Sequence, residues 1–439
     1  PNNSPNKKQP EIPMLEQPLT LPCGAVVPNR MCKAAMTEGL AHPDGTASEE
    51  LERLYGIWSD GGSGILLSGN IQVDGDHLER PGNVIVDRQL SEGAFAALAR
   101  MAAAGTRNGN HLWAQISHAG RQTQKIVNPA PKAPSAVRLR LPQSQFGEPV
   151  ALTAEEIESV IERFVACAVT CKEAGFTGVQ FHSAHGYLLS QFLSPLTNQR
   201  DDEWGGTLEN RARALISIVT KARDALGENF PISVKLNSAD FQKGGFDFDD
   251  SLTVAKWLAE AGVDLLEISG GTYEQPRLLN LDGVEPIEEQ SLARSTLARE
   301  AYFVDFAKAM SEQLSIPIMV TGGLRRREVM NHVLETGGAD MIGLGRPLCV
   351  DADGPNQLLR GEDELARYED NLSLLPGWLM WLTKFNAVRT INSFATQFWF
   401  YEQIANLGRH GKTDPNLSVF AATMAQQKAA SAWMAARRG

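Results

Sequence analysis

A chain of 439 residues is longer than one minimal domain and suits a large α/β barrel carrying an appendage. Its composition, 43% hydrophobic and 21% charged, is that of a globular protein, and no apolar run approaches the roughly 18 residues of a membrane span. The formal net charge of -11 argues against the concentrated basic face that phosphate backbones need, so small molecules are the expected partners, with no nucleic acid and no membrane.

In chain order, residues 1–17 are polar and Pro-rich, with neither an apolar signal core nor an Arg-rich amphipathic pattern. They are expected to be a flexible tail on a cytoplasmic protein. Leu19 to Val27, around Pro22 and Gly24, predicts a small hairpin placed to close the bottom of a barrel. Short runs rich in Val, Ile and Leu then alternate with helical patterns. Strands are expected over 30–36, 64–73, 111–118, 178–184, 231–237, 265–270, 317–323 and 341–346. Helices are expected over 47–60, 90–104, 208–226, 249–261, 296–314 and 325–336. A further helix opens at Thr153, where Glu156 three residues on completes a capping box; Ile157, Val160, Ile161, Phe164, Val165 and Ala168 give its apolar stripe and Gly175 its stop.

Eight βα units predict the α/β fold class and a (β/α)8 TIM barrel over residues 18–356. A doubly wound sheet is the competing fold, but no Gly-x-Gly-x-x-Gly follows the first strand. From about residue 357 to 439 the alternation gives way to a helical extension holding Trp378, Trp381, Trp399 and Trp433. It is expected to pack on the barrel or to form a subunit interface of a homo-oligomer. Five cysteines, Cys23, Cys32, Cys167, Cys171 and Cys349, lack metal-ligand clustering and are expected to be buried thiols, so no metal is expected.

In a barrel the chemistry belongs at the C-terminal strand ends. Strand four ends in His182-Ser183-Ala184-His185-Gly186-Tyr187, two imidazoles and a phenol within six positions. Such histidines can be metal ligands, paired donors or structural groups, and the absence of a neighbouring carboxylate or Cys makes a metal the weakest choice. Two imidazoles donating to a substrate carbonyl would polarise it for hydride addition, with Tyr187 placed to protonate the adjacent carbon. Lys235 falls on a buried strand position and needs an anion. Thr321-Gly322-Gly323 and Gly343-Leu344-Gly345-Arg346 offer backbone amides and a guanidinium to a phosphate.

Residues 182–213, HSAHGYLLSQFLSPLTNQRDDEWGGTLENRAR, resemble the signature of the old yellow enzyme family, and the likeness extends from about Leu19 to Cys349. The resemblance implies noncovalent FMN as cofactor, NADPH or NADH as hydride donor and an electrophilic alkene as substrate. It implies that His182 and His185 bind the activating group and that Tyr187 is the proton donor. For the flavin it implies Ala34, Ala35, Met36 and Thr37 as the cradle, Asn70 and Gln115 as further contacts, Lys235 at the N1 and O2 edge, and Gly322, Gly323, Gly345 and Arg346 at the phosphate. Lys235 stands where the family more often carries Arg, and Ser117 where a bulky Trp is common, which implies a roomier pocket. Asn198, Arg200, Asp202, Gly205, Gly206, Asn210 and Arg211 read as a loop bracing strand four. His118 and Arg121 open a loop running to Val150, where they either reach the cofactor or brace the loop, and His332 reads as structural. The alternatives are an FMN barrel dehydrogenase acting on amines, and a catalytically silent flavin-binding sensor or assembly protein.

Overall fold

The computed structural model describes residues 13–139, 145–240, 242–269 and 306–439. Eight parallel strands form a closed ring: β1 (Met31–Lys33), β2 (Ile65–Gln72), β3 (His111–Ser117), β4 (Gly178–Ser183), β5 (Ile232–Asn237), β6 (Leu265–Ser269), β7 (Ile318–Thr321) and β8 (Met341–Leu344). Each pairs with the next, and β1 closes the barrel by pairing with β8 as well as β2. This is the expected (β/α)8 architecture. Most strands are shorter than expected, β1 and β7 by the most. β1 stops at Lys33, with Ala34 adding one amide bond to Leu344, and β7 stops because Gly322 and Gly323 take φ of 133° and 70°, which a ladder does not accommodate. Of the helix expected over 296–314, residues 306–311 are helical, and 296–305 lie outside the described residues, as does residue 270 of the expected sixth strand.

The surrounding helices include α1 (Glu49–Asp60), α2 (Glu92–Gly105), α3 (Ala154–Glu173), α4 (Leu208–Leu226), α5 (Phe248–Glu260) and α6 (Arg327–Glu335). Ser48, Ser91, Thr153, Thr207 and Asp247 cap the first five through side-chain oxygens, each typically worth about 1 kcal/mol. The Thr153/Glu156 box is formed at both contacts. Along α3 the side chains of Ile157, Val160, Ile161, Phe164 and Ala168 are buried together with both Cys167 and Cys171. That stripe faces the barrel, at about 1.5–3 kcal/mol for each large side chain removed from water.

The hairpin pairs Leu19 with Val27 and Thr20 with Val26. Leu19, Leu21 and Val27 join Cys32, Ile65, Leu67, Trp113, Leu265, Met319 and Met341 in one apolar cluster, which seals the N-terminal end of the barrel. Trp113 fits there because its β4 neighbour is Gly178, where a Cβ would lie 2.5 Å from the indole. The tail corrects one expectation. Met14–Glu16 forms a helical turn with Leu15 fully buried; the Leu15 amide donates to Asn331, and Glu16 pairs with Arg327. The apolar Leu15 finds a socket beside α6, so flexibility does not extend to residue 17.

Beyond the barrel, helices α7 (Asn386–His410) and α8 (Val419–Arg438) pack against each other, and α7 packs on α1. The four tryptophans divide. Trp399 is buried and donates to the Leu417 carbonyl, Trp433 donates to the Ala41 carbonyl, and Trp378 and Trp381 are exposed. Arg437 reaches the carbonyls of Pro43 and Gly75, so α8 spans the loops that follow β1 and β2. No helix among the described residues is long and apolar enough to cross a membrane.

Candidate active site

The C-terminal ends of the strands converge on one polar chamber. At the end of β4 the rings of His182 and His185 meet edge to face at 5.1 Å, and Tyr187 packs on His182 at 4.8 Å. His185 is the one described non-glycine residue with positive φ, at 62°, a conformation costing roughly 1–2 kcal/mol. That turn swings its ring back beside His182. Its amide donates to Asn237 and its Nε2 lies 2.5 Å from Ser269 Oγ. The Ala184 amide donates to His182 Nδ1, so the ring proton of neutral His182 sits on Nε2. Burial holds both imidazoles well below their ordinary pKa, and the Lys235 charge adds to the shift. They are neutral hydrogen-bonding groups at pH 7.

The loop after Tyr187 is stiffened as the sequence suggests. Arg200 clasps Asp202 and donates to the carbonyls of Pro134 and Leu152; Asn198 bridges Phe192 and Trp204; Asn210 reaches Gly205; Arg211 binds the Leu193 carbonyl and Asp250. These bonds tie the strand-four segment to the middle and the end of the long loop after β3.

Lys235 lies in register with His182 on one side and Glu267 on the other, and its ammonium is 2.9 Å from the Glu267 carboxylate. The anion it needs is therefore supplied by the protein. Gln115 donates to Gln180, which in turn donates to Ser233 and Glu267. Thr37 donates to Glu79, a buried carboxylate that also takes the amide groups of Asn70 and Asn83. Glu38 accepts from Tyr55 and the Gly69 amide. Lys33 is fully buried between β1 and α1, 4.3 Å from the Trp58 ring, and burial lowers its pKa to about 8.

Sequence reasoning missed Glu79, Glu267, Gln180, Asn237 and Ser269. A carboxylate inside the apolar run Leu265-Leu266-Glu267-Ile268 was the one available signal, since such a charge must be paired. Ala34, Ala35 and Met36 line the β1 end, with Ala34 buried and the other two half-buried. Gly322, Gly323, Gly345 and Arg346 come together at the ends of β7 and β8, where Arg346 lies 3.7 Å from Glu369 and the buried Arg325 binds the same carboxylate at 2.8 Å.

These residues fit FMN on structural grounds. Polar atoms of Asn70, Ser117, Ser183 and Thr321 are buried without a partner at the strand ends, and two strand-end backbones are open enough that a Cβ at Gly322 or Gly345 would meet nothing within 4 Å. A ring with a hydrogen-bonding edge and one phosphate would satisfy both.

His118 turns away from this chamber. It stacks on His77 at 4.4 Å, beside Asp74, which pairs with Arg163 at 2.7 Å. Backbone amides of Gly120 and Lys132 donate to the outer ring nitrogens, so the nitrogens facing Asp74 carry protons and have no lone pair for a metal. The group braces the loop, as does Arg121, which binds the carbonyls of Val137 and Arg138.

Residues 15–364 match the NADH:flavin oxidoreductase / NADH oxidase family. The NADH-dependent flavin oxidoreductase iliE of Hypocrea jecorina (strain QM6a) is 34% identical over 356 residues, covering 76% of this chain and 86% of that protein. The NADH-dependent flavin oxidoreductase iccE of Talaromyces variabilis is 30% identical over 414 residues, covering 91% and 99%. The iliE of Neonectria sp. (strain DH2) is 36% identical over 350 residues, and the chain spans only 45% of its length. Among solved structures, a 2-naphthoyl-CoA reductase complex superimposes with a TM-score of 0.70 at 26% identity, covering 79% of this chain and 52% of that one. Morphinone reductase superimposes at 0.65 and 22%, covering 81% and 93%, a likeness of fold.

Proposed function

The chain belongs to the NADH:flavin oxidoreductase / NADH oxidase family, and from that premise we propose that it is an FMN-dependent ene-reductase using NADH or NADPH. Its substrates would be small alkenes activated by a carbonyl or nitro group. FMN, when bound, would supply the hydride chemistry that links the nicotinamide to the alkene. The observation that carries the reading is the His182, His185 and Tyr187 cluster at the end of β4, with His182 and Tyr187 buried, His185 half-buried and both imidazoles held neutral.

His182 keeps its proton on Nε2 and can donate it to the activating oxygen, with His185 beside it. Because both rings are neutral, they polarise the oxygen by hydrogen bonding and do not surrender a proton to it. Donors preorganised in a chamber of low dielectric stabilise the developing oxyanion more than water does. Tyr187 is the acid for the α-carbon: its backbone starts the short helix Leu188–Leu193, and its ring is fixed against His182. Thr37, Asn70 and Gln115 would meet the ring polar edge, Lys235 the N1 and O2 side, and the β7 and β8 glycines with Arg346 the phosphate.

Anaerobic titration tests this reading. NADH or NADPH should bleach the flavin absorbance of the holoprotein, and cyclohexenone should restore it. Heat-released cofactor should be FMN. Finding FAD or no flavin after reconstitution, or flavin that stays reduced with cyclohexenone and nitroalkenes, would overturn it.

A further inference from the structure

Glu267 places a full charge at the centre of the apolar strand β6 and is completely buried. A carboxylate only accepts hydrogen bonds, so whatever meets it must donate. On one side it holds the Lys235 ammonium at 2.9 Å. On the other, its second oxygen accepts from Gln180 Nε2 at 2.9 Å. Gln180 gives the other proton of that nitrogen to Ser233 Oγ at 3.1 Å, which leaves its own oxygen to accept from Gln115 Nε2 at 2.8 Å. Every polarity in the row follows from the carboxylate. Gln115 is left with its oxygen and one N–H, a matched acceptor and donor for the flavin N3–H and an adjacent carbonyl.

We propose that Glu267 is a positioning residue that sets the flavin-facing wall in two ways, fixing the Gln115 amide through Gln180 and neutralising Lys235 at the N1 side. The inference rests on the reading of Gln115 and Lys235 as flavin-facing residues. Its first consequence concerns affinity. With Gln at 267 the row can run in either direction, and the Gln115 amide no longer has one imposed orientation. Its second concerns redox balance. A Lys–Glu pair acts on a neighbouring ring as a short dipole, whereas an unpaired ammonium acts as a full charge and favours the anionic reduced ring.

Glu267→Gln keeps the volume and removes the charge. The FMN dissociation constant, measured by fluorescence quenching of FMN added to apoprotein, should rise about tenfold, the equivalent of one well-made hydrogen bond. The midpoint potential of the bound flavin, measured spectroelectrochemically, should become more positive. Gln180→Met cuts the row to Gln115 and leaves the ion pair, so affinity should fall by a similar factor with the potential unmoved. A double variant, Glu267→Gln with Lys235→Met, removes both charges and should bring the potential back toward the parent value. It also covers the case in which an unpaired Lys235 prevents folding. An unchanged potential in Glu267→Gln, or one that fails to return in the double variant, would overturn the charge role. Unchanged FMN affinity in Gln180→Met would overturn the polarity role. If the parent protein takes up no FMN, the functional reading fails instead.

Discussion

Tyr187 and the two imidazoles were legible in the sequence because six consecutive positions at a strand end carried three titratable rings, and the partners that orient them were not. Ser269 and Asn237 reach His185 from β6 and β5, and the nearer of them, Asn237, is 52 positions from it in the chain, a closeness that only barrel closure creates. Lys235 was expected to need an anion, and although Glu267 stands out in its apolar run, only the strand register pairs the two. The roles assigned to the cluster separate in a single substitution. In Tyr187→Phe, reduction of the flavin by nicotinamide should be nearly unchanged, while reoxidation by an enone slows by about 10²- to 10⁴-fold, the usual contribution of a general acid. A nitroalkene, whose hydride adduct is a stable nitronate, should be reduced almost normally. Stopped-flow traces showing both half-reactions slowed equally would remove the phenol from the role of acid.

At the scale of elements, periodicity located the eight strands and the barrel helices α1 to α6 because one apolar stripe or one buried run is a local property. Ends were less legible. β1 and β7 close early for reasons that lie in backbone torsions and in the neighbouring strand, and Leu188–Leu193 is an apolar run whose helicity follows from the loop bonds around it. The segment from Asn198 to Arg211 shows what those bonds do. Arg200 connects it to Pro134 and Leu152, at the middle and the end of the loop that follows β3, while gripping Asp202. Arg200→Met should lower unfolding free energy by roughly 2–3 kcal/mol, the range for a lost charge-assisted hydrogen-bond set, against about 1 kcal/mol for Thr153→Ala at the α3 cap. Urea unfolding of the two variants gives the comparison, and an Arg200→Met loss no larger than that of Thr153→Ala would show that the loop is held by its apolar contacts.

For the whole molecule, three neutral rings make stability a function of pH. His118, His182 and His185 are each held well below the ordinary histidine value, by burial first and by neighbouring charge second. Below about pH 6.5 the same rings in the unfolded chain take up protons that the fold refuses, so the unfolded state binds more protons and gains on the native one. Stability should therefore be level above pH 7 and fall as pH drops toward 5.5, at up to about 1.4 kcal/mol per pH unit for each ring. Urea midpoints across that window measure it; midpoints that do not move between pH 7.5 and 5.5 would mean that these rings are protonated in the native protein.

The C-terminal extension was readable as helical and Trp-rich, yet its destination was not, because Trp433 meets Ala41 across 392 positions. The same separation orders events in time. As the chain emerges from the ribosome, the turn that carries Thr37 is made early, and the helix that clasps it is not made until nearly four hundred residues later. β1 gains its closing partner β8 earlier, once Leu344 has been made. A nascent chain can thus complete its ring of strands while the loops after β1 and β2 are still unclasped, and the contacts made by the extension, among the most distant in sequence, come last, which makes the folding slow and non-local.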